Sequence, residues 1–267
     1  MRVIVTRPGP QAGKWVTALR GAGLEALSLP LIEITGPAEP QAVLAAWQCL
    51  HHFNALMFVS ANAVQQFFAL RPQGLVGLDA IAGPRFFVTG PGSRAALLQA
   101  GVQSERIDAP DHAAAQFDSE ALWQVVQQQV QPGWRVLIVR GNTESDAGDT
   151  DPTGQEGVGR DWFAARLAER GAAVEFVVAY ARRAPQLGAN ALALLQVAAA
   201  DGTVWLFSSS EAVTNLCRMA QGQSWSRARA VATHPRIAQA AQAAGFGVVC
   251  ESRPAVSELL ASIESLA

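Results

Sequence analysis

The sequence predicts an α/β fold with parallel sheets. The chain has 267 residues, which at roughly 150 residues per domain allows two compact domains or one large one. One pattern recurs along the chain: a short apolar run ends in a small or polar turn, and an Ala-, Leu- or Gln-rich helix follows. Strands that alternate with helices in this way are typical of βαβ units, whose strands lie parallel to each other.

The strands are the clearest elements. The runs VIV, LMFV, FFV, VLIV and VWLF are apolar at every position, which is typical of strands covered by helices on both faces. Several of the helices that follow end at a glycine, the residue best suited to a left-handed helix stop. These glycines are Gly23, Gly101, Gly171 and Gly245, and the predicted strands are Val3–Thr6, Ala55–Val59, Phe86–Thr89, Val136–Val139, Val204–Phe207 and Ala230–Thr233.

Three segments interrupt this pattern. Leu27–Thr35 is extended and leads into a Pro-rich stretch, and Val174–Arg183 is extended and leads into Ala-Pro. These two segments are the best candidates for places where the chain crosses between domains. Thr143–Gly159 is acidic and Gly-rich, which predicts a long mobile loop before a helix over Asp161–Arg170. The acidic spacing matches no EF-hand, so a solvated loop is favoured over a metal site.

Composition excludes several classes of protein. Hydrophobic residues make up 50% and charged residues 16%, against about 25% charged in typical domains, so the chain is not disordered. The net charge of −2 argues against a general nucleic-acid binder. The apolar runs are too short to span a membrane, and the N-terminus shows no signal peptide. Three widely spaced cysteines predict no disulfide framework and fit a reducing cytoplasm.

Candidate binding groups lie just after the predicted strands. In open α/β sheets, ligands bind beyond the carboxyl ends of the strands, and the helix that begins there offers unpaired N–H groups and a positive dipole end. Any single turn of this kind is also typical of plain helix capping. The set of turns is therefore stronger evidence of anion binding than any one turn. The candidates are Arg7, Ser60, Ala61, Asn62, Gly90, Gly92, Ser93, Arg140, Gly141, Asn142, Ser208, Ser209, Ser210 and Arg236.

Other chemistries receive little support from the sequence. The turn at Gly90–Ala95 matches the dinucleotide fingerprint G-x-G-x-x-A, but it does not lie in the first βα turn. Of the four histidines, His234 alone follows a strand at a candidate site. No nucleophile motif and no paired Cys/His spacing occur, so metal catalysis is not expected.

Tyr180 is the only tyrosine in the chain and lies in the second crossing segment. A phenol can donate a proton to an oxygen that develops negative charge. A packed ring with its hydroxyl at the surface is the alternative interpretation.

Several of these motifs together resemble the uroporphyrinogen-III synthase family. The opening VTRP and the later PLIEI resemble its N-terminal signature, and MFVSANAV resembles its strand–Ser–helix motif. VTGPGSRAALLQAG resembles its Gly/Ser/Thr-rich turn, with Arg94 as a small departure. The block from VLIVRGN to VEFVVAYARR ends in the tyrosine of the family, and WLFSSSEAV and VATHPRIAQAAQAAGF resemble the last two motifs.

The resemblance implies two flavodoxin- or Rossmann-like domains joined by a two-stranded linker, with a cleft between them. Domain one is then expected over 1–35 and 183–267, domain two over 37–178, and the crossings near 27–37 and 174–183. The implied activity uses no cofactor: it closes the linear tetrapyrrole hydroxymethylbilane to uroporphyrinogen III, inverting the last ring and losing water, in tetrapyrrole biosynthesis. The implied protein is a cytoplasmic monomer that binds neither nucleic acid nor membrane, and it receives its substrate by transient hand-over from the preceding enzyme.

The resemblance also assigns roles. Tyr180 corresponds to the candidate acid of the family, and Ser60, Ser93 and Ser208 to Ser210 correspond to its binding groups, together with neighbouring backbone N–H groups. The last motif often carries Gly and Thr, and here it reads Thr233-His234-Pro235-Arg236, so Arg236 is a candidate replacement. A two-domain module that binds small anions or nucleotides, and an inactive relative of the family, remain alternatives.

Overall fold

The computed structural model describes residues 1–74, 83–111, 116–143 and 158–266. The strands are β1 (Arg2–Val5), β2 (Glu25–Ser28), β3 (Glu33–Thr35), β4 (Ala55–Phe58), β5 (Arg85–Val88), β6 (Ile107–Asp108), β7 (Arg135–Thr143), β8 (Ala173–Arg183), β9 (Val204–Phe207), β10 (Arg229–Ala232) and β11 (Val248–Glu251). The helices are α1 (Gly9–Gly21), α2 (Pro40–Gln48), α3 (Ala61–Ala69), α4 (Pro91–Gln99), α5 (Ser119–Val126), α6 (Val158–Glu169), α7 (Ala189–Ala198), α8 (Ser210–Met219), α9 (Pro235–Ala243) and α10 (Val256–Glu264).

The chain divides into two compact units. Unit 1 contains Met1–Glu33 and Arg183–Ala267, and unit 2 contains Ile34–Arg182. The chain therefore passes from one unit to the other inside β3 and at the end of β8, which are neighbours in one sheet.

Unit 1 is built on a sheet with the order β11-β10-β9-β1-β2. Its four pairs of neighbouring strands are parallel. Counted within the unit, this order is 2-1-3-4-5, that of flavodoxin-like folds. One face packs on α1 and α10 through Trp15, Leu19, Leu259 and Ile263. On β9, Trp205 and Phe207 instead contact a group of rings that includes Phe246.

Unit 2 is built on a sheet with the order β3-β8-β7-β4-β5-β6. The pairs β4–β5, β4–β7, β5–β6 and β7–β8 are parallel. Counted from β4, the order 3-2-1-4-5 is that of a Rossmann-like sheet, with β3 added beside β8. Separate apolar clusters, one with α3 and α4 and one with α5 and α6, cover its two faces.

These sheets confirm the predicted α/β class. Each fully apolar run forms a strand whose side chains are at most 3% exposed, except for the half-buried Val59, which follows β4. The four glycines predicted to end helices all have positive φ, between 78° and 88°.

One strand continues beyond its predicted end. The strand predicted to end at Val139 continues to Thr143, so Arg140, Gly141 and Asn142 lie within β7 and pair with β8 instead of forming a turn. Most of the predicted loop Thr143–Gly159 lies outside the described residues, and the helix predicted over Asp161–Arg170 begins earlier, at Val158.

Candidate functional site

The topology of each sheet marks one place where a ligand is expected. In unit 1 the chain goes from β1 to β2 on one side and later returns to β9 on the other side of β1. In unit 2 it goes from β4 to β5 on one side and later returns to β7 on the other. Open α/β sheets bind ligands at such switch points, outside the carboxyl ends of the strands. The candidate sites are therefore the ends of β1 and β9 and the ends of β4 and β7.

At the unit 1 switch point, Thr6 fixes the end of β1 against β9. Its buried hydroxyl donates a hydrogen bond of 2.9 Å to the carbonyl of Leu206. Arg7 follows, and its guanidinium carbon lies 4.4 Å from the centre of the Trp15 ring. The Arg7 Nε is buried and has no hydrogen-bond partner among the described residues, and burial lowers the pKa of this guanidinium. Because arginine stays protonated at neutral pH, Arg7 is a partly desolvated cation that an anion would stabilise.

The turn after β9 supplies hydroxyl groups to the same edge. Ser208, Ser209 and Ser210 are half-buried. Ser209 occupies the N-cap position of α8, yet its side chain makes no capping hydrogen bond. The turn thus keeps a hydroxyl beside the N–H groups of the first turn of α8, a combination suited to a carboxylate.

In the turn after β10, the histidine that follows a strand at a candidate site caps the next helix. His234 is the N-cap of α9, and its Nδ1 accepts a hydrogen bond of 3.1 Å from the backbone N–H of Arg236. This capping contact gives His234 a structural role. The Arg236 side chain is exposed.

At the unit 2 switch point, a hydroxyl pair joins β8 to the start of α3. Ser60 follows β4 and caps α3, its Oγ accepting a hydrogen bond of 3.1 Å from the N–H of Ala63. The same Oγ lies 3.1 Å from the hydroxyl oxygen of Tyr180. Tyr180 is only 3% exposed, whereas Ser60 is half-buried. The two residues are 120 positions apart in the chain.

A β-bulge directs Tyr180 to this position. Arg140 pairs with Val178 and Gly141 with Tyr180, so Ala179 is the extra residue on β8. In a regular strand neighbouring side chains point to opposite faces, so Val177 and Ala179 would share one face and Tyr180 would point to the other. Here all three side chains enter the same apolar cluster. Bulges re-aim side chains in this way.

Gly141 makes the space that the phenol ring occupies. A Cβ atom on residue 141 would lie 2.7 Å from Cε1 of Tyr180 and closer still to Cε2 and Cζ. This glycine was predicted as a binding residue, and the structure places it against the ring of Tyr180.

The other candidates in unit 2 lie at three places: the start of α4, the start of α3 and the end of β7. Gly90 is the N-cap of α4 and lies beside Phe117, Gly92 is exposed, and Ser93 is buried in the first turn of the helix. This turn follows β5 and is one strand away from the switch point, so the dinucleotide-like motif lies outside the expected nucleotide position. Ala61 and Asn62 are half-buried at the start of α3.

Arg140 and Asn142 belong to the end of β7. The Arg140 guanidinium carbon lies 4.9 Å from the centre of the Phe176 ring. The exposed Asn142 accepts a hydrogen bond of 3.0 Å from the N–H of Thr143 through its own side-chain oxygen.

Two other features, a metal-binding cluster and a membrane-spanning helix, are absent from the described residues. No group of three or more His, Cys, Asp or Glu side chains comes together there in a way that could hold a metal ion. In the same part of the chain, no helix is long and apolar enough to cross a membrane.

Comparison with known proteins identifies the family. The family model described as uroporphyrinogen-III synthase HemD matches residues 13–147 and 152–261. The chain belongs to this family. The match includes the unit 2 switch point and the end of β9, whereas β1, Thr6 and Arg7 precede it.

Individual members of the family are distant in sequence. The uroporphyrinogen-III synthase of Salmonella typhimurium is 29% identical over 191 residues, which cover 68% of this chain and 65% of the relative. The chain thus aligns with slightly less than two thirds of the length of that relative.

Solved structures of the family share the fold. A mutant uroporphyrinogen III synthase from the extremely thermophilic bacterium Thermus thermophilus matches with a TM-score of 0.54 and 15% identity, covering 100% of this chain and 98% of the other. The uroporphyrinogen-III synthetase of Helicobacter pylori matches with a TM-score of 0.57 and 15% identity, covering 100% of both chains.

The sequence predicted candidate residues at both switch points but not the contacts between them. The distance between Ser60 and Tyr180 in the sequence gives no reason to pair them, and the run VEFVVAYARR contains no residue that predicts a β-bulge. One signal was available: a glycine between polar residues at the end of a buried strand, Gly141, is typical of a close approach by another group.

Proposed function

We propose that this protein converts hydroxymethylbilane to uroporphyrinogen III, with inversion of the last ring and loss of water, in tetrapyrrole biosynthesis. The observation that carries the proposal is the family match over residues 13–147 and 152–261. The chemistry at the two switch points supports it, because both carry hydroxyls beside helix N-termini and the unit 1 switch point adds the Arg7 cation, although one carboxylate, Glu211, also lies in the first turn of α8.

The substrate carries acetate and propionate groups on its rings and is therefore a polyanion. Helix N-termini and hydroxyls bind carboxylates without adding net charge, and a guanidinium binds them through two parallel hydrogen bonds. Arg7 is the strongest candidate, because its Nε is buried and lacks a partner among the described residues. The proposed substrate-binding residues are Arg7, Ser60, Ala61, Asn62, Gly90, Gly92, Ser93, Arg140, Asn142, Ser208, Ser209, Ser210 and Arg236.

The proposed reaction needs orientation more than strong acid–base groups. Loss of the substrate hydroxyl leaves a cation that the pyrrole nitrogen stabilises. The substituted carbon of the last ring attacks this cation to give a spiro intermediate, which reopens and closes with the ring inverted. The substrate also cyclises unaided without inversion, so the protein has to hold it in a particular shape. Tyr180 is the proposed source of the proton that the departing hydroxyl takes up.

The proposal also covers the cofactor requirement, the oligomeric state, the location of the protein and the delivery of its substrate. The reaction uses no cofactor, the protein works as a monomer in the cytoplasm, and the preceding enzyme hands over its unstable product transiently. Cross-linking of the two enzymes during turnover would test the hand-over.

One assay separates this function from the alternatives. The purified protein is mixed with hydroxymethylbilane, and the rate and the isomer of the product are recorded. Formation of the type III isomer supports the synthase, whereas product of type I only, at the rate without protein, points to an inactive relative or a binding module. In the latter case, a rise in melting temperature on adding a nucleotide would identify the nucleotide-binding module.

A further inference from the structure

The hydroxyl pair of Ser60 and Tyr180 has a direction that the structure allows us to work out. Tyr180 is 3% exposed, and among the described residues its hydroxyl makes one hydrogen bond, the 3.1 Å contact with Ser60 Oγ. If Ser60 were the donor, the phenol proton of this buried residue would have no acceptor among the described residues, which is unfavourable. Tyr180 is therefore the donor and Ser60 the acceptor.

The remaining bonds of Ser60 follow from its atoms. A serine hydroxyl has two lone pairs and one proton. One lone pair accepts the N–H of Ala63 and the other accepts the O–H of Tyr180. Both lone pairs are thus occupied, and the Ser60 proton is free for a group outside this network. Ser60 is also the half-buried member of the pair, so it is the one that a bound molecule can reach.

We propose that Tyr180 acts through Ser60: the Ser60 hydroxyl protonates the leaving group of the substrate, and Tyr180 replaces the proton that Ser60 gives up. The inference rests on the proposed function and changes the role of each residue. Ser60 is the catalytic residue that touches the substrate, and Tyr180 is the positioning residue and proton source behind it.

The proton transfer balances. The Oγ–H bond of Ser60 breaks, and its proton goes to the substrate hydroxyl, which leaves as water with the electron pair of the C–O bond. The Oη–H proton of Tyr180 passes to Ser60 Oγ at the same time. The proton returns by the same route: the ring carbon that forms the last bond loses its hydrogen to Ser60 Oγ as the pyrrole becomes aromatic again, and the Oγ proton passes to the phenolate. No other reactant is required.

The kinetic test compares five variants with the native protein. Ser60→Ala and Tyr180→Phe are each expected to lower turnover by about 10–100-fold, and the double variant is expected to be no slower than the slower single one. Ser60→Thr keeps a hydroxyl and a capping oxygen and should retain most of the native turnover. Asp118→Ala is the matched control, because Asp118 caps α5 by accepting from the N–H of Ala121 at 2.8 Å and touches neither residue of the pair.

A second measurement is independent of activity. Because Tyr180 is the only tyrosine, protein labelled with 3-fluorotyrosine gives one ¹⁹F resonance. This resonance should move in Ser60→Ala and stay in place in Asp118→Ala. An unmoved resonance in Ser60→Ala would show that the hydrogen bond is absent in solution and would overturn the inference.

Two kinetic results would also overturn it. Native turnover in Ser60→Ala together with a loss in Tyr180→Phe would mean that Tyr180 protonates the substrate directly. Losses that multiply in the double variant would mean that the two hydroxyls act separately. A native protein that forms no type III isomer would instead refute the proposed function, while the ¹⁹F result would still report on the pair.

Discussion

Gly141 lies against the ring of Tyr180, on the neighbouring strand and directly across from it in the register of the sheet. The contact combines two features of unit 2, the bulge at Ala179 that turns the tyrosine and the missing side chain that makes room for it. The only tyrosine of the chain is thereby buried with its hydroxyl on Ser60.

The first prediction concerns that contact. Gly141→Ala places a Cβ within the ring of Tyr180, so the ring has to move and the hydroxyl leaves Ser60. Overpacking of this kind costs about 1–3 kcal/mol of unfolding free energy, and turnover should fall about as far as in Tyr180→Phe. Denaturant unfolding and rate measurements check both effects.

Gly36→Ala is the control for this prediction, because nothing lies within 4 Å of a Cβ at residue 36 and its φ is not positive. Native stability and turnover in Gly141→Ala would contradict the close contact.

The second prediction concerns the outcome of the reaction in Tyr180→Phe. Turnover should fall by about 10–100-fold, at or below the low end of what a positioned acid contributes, because the pyrrole nitrogen already weakens the departing bond. The type III isomer should remain the main product, since the phenylalanine ring preserves the packing against Gly141. Rate and isomer ratio are measured together. A switch to the type I isomer would mean that Tyr180 shapes the substrate.

The third prediction uses the N-cap of α8. Asp caps helices as well as Ser does, so Ser209→Asp should fold normally while its carboxylate repels a polyanionic substrate. We expect KM to rise strongly in Ser209→Asp. In Ser209→Ala we expect a loss of about 0.5–1.5 kcal/mol of binding, the value of one neutral hydrogen bond. Equal KM values in the two variants would indicate that the turn does not contact the substrate.

The fourth prediction concerns Arg7. Arg7→Met keeps an unbranched side chain over Trp15 but removes the cation. Hydrogen bonds to charged groups contribute about 1.5–3 kcal/mol, so KM should rise by roughly 10–100-fold with little change in kcat. Arg227→Met removes an exposed arginine of the same unit and serves as the control. Unchanged KM in Arg7→Met would remove Arg7 from the binding site.

The fifth prediction concerns the discontinuous unit. Strand β1 lies between β9 and β2 in its sheet, so a fragment of residues 183–267 lacks a central strand and exposes the edge of β9. It should aggregate or melt without a cooperative transition, as followed by circular dichroism. A cooperative, stable fragment would contradict a domain that needs both ends of the chain.

The sequence predicted the sheets well because their signals are local. Runs such as VWLF bury every side chain, and a glycine such as Gly101 ends its helix at φ 87°. The end of β7 was predicted wrongly because Arg140, Gly141 and Asn142 have the composition of a turn, whereas pairing with β8 keeps them in the strand. Tertiary pairing overrides local preference in such cases.

The candidate site was predictable as a set of residues but not as a geometry. Ser60 and the serines after β9 follow apolar strands, which is a local signal. The contact of Ser60 with Tyr180 joins residues 120 positions apart. It also depends on a β-bulge that no residue type in the strand predicts. The capping contact of His234 was missed because histidine is not among the residues usually found at helix N-caps.

The isomer of the product tests the central claim most directly. Hydroxymethylbilane is added to the native protein and to the same protein after heat denaturation, and the uroporphyrinogen isomers are separated before unaided cyclisation is complete. We expect mainly the type III isomer with the native protein and type I with the denatured one. Type I alone in both samples, formed at the same rate, would contradict it.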